Sequence, residues 1–252
     1  MANPASLVKY VLYLGDNNLI LSQRLGEWCG HGPVLEQDIA MTNIALDLLG
    51  QSRMYCQYAA ELSGSNKTED DIAFLRKEQE YNNLLLVEQP NGDWGQTLVR
   101  QFLFDSWHYY LLHALVDSKD QNLSDIAQKS IKEVTYHLKY SSEWMIRLGD
   151  GTDESHKRMQ NALNELWRFS EEPLIMADYE KDLVESGIAV DISTIRESVQ
   201  KKRQDIIREA TLSIPEDEFM QTGGKEGKHT EHMGYILTEM QYMQRVYPGQ
   251  EW

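Results

Sequence analysis

Apolar residues recur at steps of three and four along most of the chain. Leu7, Tyr10, Val11, Leu14, Leu21 and Leu25 predict a first helix of about 20 residues that ends near Gly26, and Trp28 to Pro33 reads as a glycine-rich turn. A second, long helix is predicted from Leu35, just after Pro33, to Leu62, where Ser63, Gly64 and Ser65 stop it. Glu69, Asp70 and Asp71 place negative charge at a helix start, so a third helix is expected to carry Phe74, Leu75, Tyr81 and Leu85 as far as Gln89. A fourth runs from Asp93 to about Asp117 and a fifth from Ser124 to Leu148. Thr152 or Asp153 caps a sixth, with Met159, Leu163 and Leu166 on one side, which Pro173 breaks. A short helix to Ser186, a strand-like run at Ile188 to Val190, a basic helix from Asp191 to Ala210, a loop from Gln221 to Lys228 and a last helix from Thr230 to Val246 complete the pattern.

This is the pattern of an all-α protein. The second, fourth, fifth and sixth predicted helices are long enough for an up-and-down four-helix bundle with additional helices around it. Heptads are not sustained and no repeat has a solenoid period. No linker rich in Pro, Gly or Ser divides the chain, so a single domain over residues 1–252 is expected.

Composition narrows the function classes. With 41% hydrophobic and 25% charged residues the chain is globular rather than disordered. No stretch approaches the roughly 20 apolar residues of a membrane span, and Met1 to Tyr10 lacks the order of a signal peptide, so a cytoplasmic protein is expected. Cys29 and Cys56 form no framework and read as reduced structural thiols. A formal charge of −16 opposes nucleic acid and anionic membranes and favours a basic protein partner.

Chemistry is concentrated in the fourth helix. Leu98, Phe102, Tyr109 and Leu112 mark an apolar face on which Asp105 falls, and His108 follows one turn later. A carboxylate buried in this way needs a metal, a hydrogen-bond donor or a basic partner. The helical di-metal proteins supply two lone carboxylates and two acid-x-x-His pairs from four helices. Asp105 and His108 match one such pair, Asp47 and Glu133 stand where lone carboxylates belong, and His137 lies one turn beyond Glu133. The sixth helix offers only Asn161-x-x-Asn164 and Glu165-x-x-Arg168, with His156 at its start, so a complete two-metal centre is not expected. An independent di-metal bundle, acting as oxygenase or iron-binding protein, is the alternative reading of the same residues. Gly223 to Thr230 has the wrong spacing for a phosphate loop, and His229 and His232 read as surface histidines. The Trp and Tyr residues at helical core spacing suit packing and a permanent interface alike.

Several longer runs carry a resemblance. Leu14-Gly15-Asp16-Asn17, Leu21 to His31, Leu46 to Gln51, Asn83 to Gly92, Leu166-Trp167-Arg168-Phe169, Glu239 to Tyr242 and Pro248-Gly249-Gln250 resemble the C-subunit family of the ring-1,2-phenylacetyl-CoA epoxidases, and the similarity extends end to end. The resemblance implies a ferritin-like fold and a structural, non-catalytic role in aerobic phenylacetate degradation. On that reading the chain has no cofactor of its own and stabilises the catalytic A subunit of the same oxygenase, which carries the di-iron centre. A reductase and other epoxidase components, and self-association of this chain, belong to the same expectation. The resemblance also places Glu80, Tyr81, Asn82 and Asn83, and Lys181, Asp182 and Leu183, near phenylacetyl-CoA at the interface between subunits. Against that stands the charge, since an acidic chain repels the CoA phosphates.

Overall fold

The structure, a computed structural model, describes residues 3–64, 66–216 and 219–250. Met1 and Ser65, which enter the expectations above, lie outside the described residues. Ten α-helices are found among the described residues: α1 (Pro4–Gly26), α2 (Leu35–Ser63), α3 (Glu69–Phe74), α4 (Leu85–Glu88), α5 (Trp94–Leu115), α6 (Gln121–Gly149), α7 (Asp153–Leu166), α8 (Asp178–Val184), α9 (Ile192–Glu209) and α10 (Glu231–Val246). Short 3₁₀ turns occur at Glu78–Glu80, Trp167–Phe169, Glu172–Leu174 and Gly224–Glu226, and no strand is present among the described residues. No helix among them is long and apolar enough to cross a membrane.

The helix ends have local causes. Pro4 sits in the first turn of α1, where its missing N–H costs nothing, and Asn3 accepts a hydrogen bond from the Ala5 N–H at 3.0 Å. Gly64 ends α2 in the left-handed region, with φ 58°. Asp93 caps α5, and Thr152 and Asp191 cap α7 and α9 as expected. α6 begins earlier than predicted because Asp120 accepts the Leu123 N–H at 3.0 Å. Ile188 to Val190 is not a strand: the Ile188 and Ala189 N–H groups both turn back to the Leu183 carbonyl beyond α8.

The chain divides into two compact units, one made of the residues up to Glu88 with those from Gly223 onward, the other of Gln89–Thr222. In the first, α1 packs along α2, and a Cβ added to Gly15 would stand 2.9 Å from the Tyr55 Cβ. The bundle predicted from the sequence left α1 out, yet with 23 residues it is the principal partner of α2. α10 contacts α1, α3 and α4. The predicted third helix is broken into α3, a 3₁₀ turn and α4, because the intervening backbone donates its N–H groups to side chains of α1 instead of to itself.

In the second unit α5 is buried on nearly all sides, including Leu98, Val99, Phe102, Leu103, Leu111 and Leu112, and it packs against α6, α7 and α9. A helix buried on nearly all sides belongs at the centre of its unit. α6 is two-sided: Leu123, Ala127, Ser130, Val134, His137, Leu138 and Met145 are among its buried residues, while Asn122, Asp125, Lys129, Lys132 and Lys139 are exposed on the other side.

Candidate functional site

Two buried polar clusters stand out, one in each unit. The first joins residues of α5 and α6. Asp105 and His108 are 1% and 3% exposed and His137 is fully buried. Gln101, one turn before Asp105, donates through Nε2 to Asp105 Oδ1 at 2.7 Å, while among the described residues Asp105 Oδ2 and His108 Nδ1 meet no hydrogen-bond partner. Burial pushes the Asp105 carboxyl up to about 6, against the opposing influence of His137, Ser141 and Gln101. Burial, aided by His137, drives His108 down to about 3, so this imidazole is neutral at pH 7.

The remaining predicted ligands do not complete this cluster. Glu133 is one turn before His137 and only partly buried, and Asp47 is a partly buried residue of α2 in the other unit. α7 turns Met159, Ala162, Leu163 and Leu166 inward and leaves Asn161, Asn164 and Glu165 exposed. His156 places Nδ1 at 2.7 Å from the Gly149 carbonyl. One carboxylate and two imidazoles do not fit a pair of iron ions, for which helical bundles supply four carboxylates and two histidines. Among the described residues no three His, Cys, Asp or Glu side chains are grouped as a metal site requires.

The second cluster binds the irregular segment between α3 and α4 to α1. Asp16, fully buried, receives both terminal nitrogens of Arg76, Nη1 at 3.0 Å from Oδ2, and also the Asn82 N–H at 2.9 Å. Asn17 accepts the Leu84 N–H at 2.9 Å, and Arg24 donates twice to the Glu88 carbonyl, at 3.1 and 2.7 Å. Asp16 outweighs the burial that would otherwise lower Arg76, and its pKa is raised. A buried, irregular backbone must find partners outside regular structure, and α1 provides them.

Glu88 closes the cluster from the other side. Its carboxylate accepts from Asn83 Nδ2 at 2.9 Å, from the Thr230 N–H and hydroxyl at 2.8 and 2.7 Å, and from His229 Nδ1 at 2.5 Å. His229 Nε2 faces the Tyr81 carbonyl at 3.1 Å. Both ring nitrogens therefore meet acceptors, an arrangement only the imidazolium satisfies. Burial opposes the charge, but the hydrogen bond and charge of Glu88 prevail and the His229 pKa is raised. The loop from Gly223 to Gly227 reaches this point by lying backbone on backbone: a Cβ on Gly224 would come 2.1 Å from the Asn83 carbonyl oxygen, and one on Gly227 2.4 Å from that of Gln79. The expectation that His229 is a surface histidine is thus corrected, since its side chain is fully enclosed with Glu88.

The residues expected near substrate fall in separate units. Glu80 is exposed and accepts the Lys77 N–H at 2.6 Å, whereas Tyr81, Asn82 and Asn83 are buried. Tyr81 donates to the Ala73 carbonyl at 2.6 Å and accepts from Gln241 at 2.9 Å, beneath the Arg76 guanidinium. Lys181 and Asp182 are exposed on α8, Lys181 pairing with Asp178 at 2.9 Å, and Leu183 is buried. Sequence reasoning missed Asp16, Arg24, Arg76 and Glu88. The available signal was the polar run Asp16 to Asn18 set between Leu14 and Leu19 in an otherwise apolar helix.

A family described as phenylacetic acid catabolic protein matches residues 2–252. The chain belongs to this family. It is 52% identical over 246 residues to the C subunit of the 1,2-phenylacetyl-CoA epoxidase of Escherichia coli (strain K12), covering 98% of this chain and 99% of the relative. The all-α, ferritin-like class expected from the sequence is the fold class of the family, and its setting is phenylacetate catabolism. That relative is named as one subunit of an epoxidase.

Proposed function

We propose that this chain is the non-catalytic, structural subunit of a cytoplasmic phenylacetyl-CoA epoxidase, and that it stabilises the catalytic A subunit, in which the di-iron centre resides. The observation that carries the reading is the interior of the second unit. Asp105 is matched with a glutamine amide, and the residues that α7 buries are the apolar Met159, Ala162, Leu163 and Leu166. The similarity to an epoxidase C subunit over nearly the whole of both chains supports the same assignment. The acidic surface is suited to a basic protein partner and leaves the CoA phosphates to that partner. Tyr81, Asn82 and Asn83 are then props of the fold, and Glu80 is the residue of that stretch open to an interface.

Expression of this chain by itself, of its sister subunit by itself and of both together, each with reductase, tests the proposal by metal content, mass and turnover. Turnover is expected only when the sister subunit is present, and is expected to be more durable with both. Epoxidation of phenylacetyl-CoA by this chain and a reductase alone would sink the proposal, as would about two iron ions per chain, the stoichiometry of a di-metal bundle.

A further inference from the structure

Asn91 and Gly92 form the one Asn-Gly pair in the sequence. In such a pair the glycine nitrogen, unshielded by a Cβ, can attack the asparagine amide carbon and close a five-membered imide. Gly92 is exposed and adopts φ 55°, a conformation that favours glycine. Its N–H meets no hydrogen-bond partner among the described residues, so the nucleophile is not engaged elsewhere. Asn91 Oδ1 receives Arg100 Nη2 at 2.6 Å, and because a guanidinium can only donate, the amide atom facing it is the oxygen.

Arg100 is fully buried and also donates through Nη1 to the Gln89 carbonyl at 2.5 Å, so the charged donor is fixed in place. A cation held on a carbonyl oxygen makes the carbon more electrophilic and stabilises the negative charge that gathers on that oxygen during attack. The main-chain carbonyl of Asn91 has a weaker, neutral donor, the Thr97 hydroxyl at 2.9 Å. The two carbonyls that the imide would contain are therefore unequally activated, and the side-chain one is favoured.

We propose that Asn91 is a self-modification site, converted to aspartate through a succinimide closed on the Gly92 nitrogen. That nitrogen gives up its proton to hydroxide and bonds to Asn91 Cγ. The Cγ–Nδ2 bond breaks, and ammonia leaves after taking a proton from water. Water then opens the ring, so the net change consumes one water, releases one ammonia and involves no oxidation or reduction. Attack of water at Cγ, beside Arg100, cleaves the bond to Gly92 and yields aspartate. Attack at the main-chain carbonyl yields isoaspartate, whose backbone runs through Cγ. The guanidinium favours the first route and keeps the new carboxylate as a charge-assisted partner. In unconstrained chains isoaspartate predominates, so the product ratio reports what Arg100 does. The modification is independent of the accessory role argued above and adds one negative charge to the −16 of the chain.

The test keeps the full-length protein in mildly alkaline buffer beside a synthetic peptide of residues 86–96 and follows both by peptide mapping with isoaspartate detection. Conversion at Asn91 is expected within tenfold of the peptide's rate, with aspartate exceeding isoaspartate in the folded chain and isoaspartate exceeding aspartate in the peptide. Thr97→Val is expected to raise the aspartate share further and Arg100→Lys to lower it. Should Arg100→Lys fail to fold, Thr97→Val against the wild type still measures the competition between the two carbonyls. Asn91→Asp, prepared directly, is expected to melt no lower than the wild type, which reads the fit of the carboxylate without the reaction. Conversion more than tenfold slower than in the peptide, a predominance of isoaspartate in the folded chain, a product ratio unmoved by Thr97→Val, or a lower melting temperature for Asn91→Asp would each overturn the proposal.

Discussion

Arg76 closes on Asp16 in a two-pronged ion pair between residues 60 apart in sequence, with the Asp16 carboxylate fully buried. The same carboxylate holds the Asn82 N–H, so one side chain of α1 secures both a guanidinium and the backbone of the segment that follows α3. Removing one member of such a pair leaves the other buried without its counter-charge, which typically costs about 3–5 kcal/mol. Asp16→Ala is expected to lose stability on that scale in urea denaturation. Asp16→Ala with Arg76→Met is expected to lose less than the sum of the two single changes. Strict additivity would show that the pair is not coupled.

His229 gives the first unit a dependence on pH. Its pKa is raised in the folded protein, where Glu88 holds the imidazolium. The folded state therefore binds the proton more tightly than the unfolded state, and the stabilisation is complete below the ordinary histidine pKa of about 6.5. It is lost as pH rises through the raised value. Stability measured from pH 6 to 9 should fall across this window in the wild type and fall less in His229→Gln. Parallel curves for the two proteins would exclude the linkage.

Asp105 acts in the opposite sense from an ordinary acid. Burial raises its pKa to about 6, so the folded state holds a proton that the unfolded state releases nearer 4. Relative to Asp105→Asn, the wild type should lose up to about 3 kcal/mol as pH rises from about 4 to 7, with no further change above. Chemical denaturation of both proteins at a series of pH values checks the slope. A wild type that gains on the variant with rising pH would contradict the assignment.

Arg203 joins α9 to α5. Fully buried, it donates to Ser106 Oγ at 2.8 Å, to the Leu103 carbonyl at 2.8 Å and to the Ser170 carbonyl at 2.7 Å. Burial brings its pKa down to about 10, with Glu171 opposing, so it remains charged at pH 7. Arg203→Lys keeps the charge but loses the fork that reaches three acceptors. A loss of about 2–4 kcal/mol in denaturant titration is expected from the unpaired carbonyls and serine. Retention of wild-type stability by the lysine variant would show that charge alone suffices.

The long helices were legible because their apolar periodicity agrees with their packing: α2, α5, α6 and α10 begin and end within a few residues of the pattern. The segment from Leu75 to Leu84 was not, because its helical spacing is genuine but its backbone is claimed by Asp16 and Asn17 of α1. α1 was undervalued for the same reason, since a polar run in a helix looks like a solvent face until its partners are known. At the candidate site, Asp105, His108 and His137 were found by helical spacing, and the outward direction of Asn161 and Asn164 was not.

The first unit is assembled from two stretches of chain separated by the whole of the second. During synthesis the partners of Glu88 at His229 and Thr230 leave the ribosome only after residues 89–222 have already emerged. The enclosed middle portion has all its own helices by then and is free to fold first, while α1 and α2 wait for their final lock. A nascent chain stalled before Gly223 would accordingly protect α5 and α6 from protease well before it protects the segment between α3 and α4.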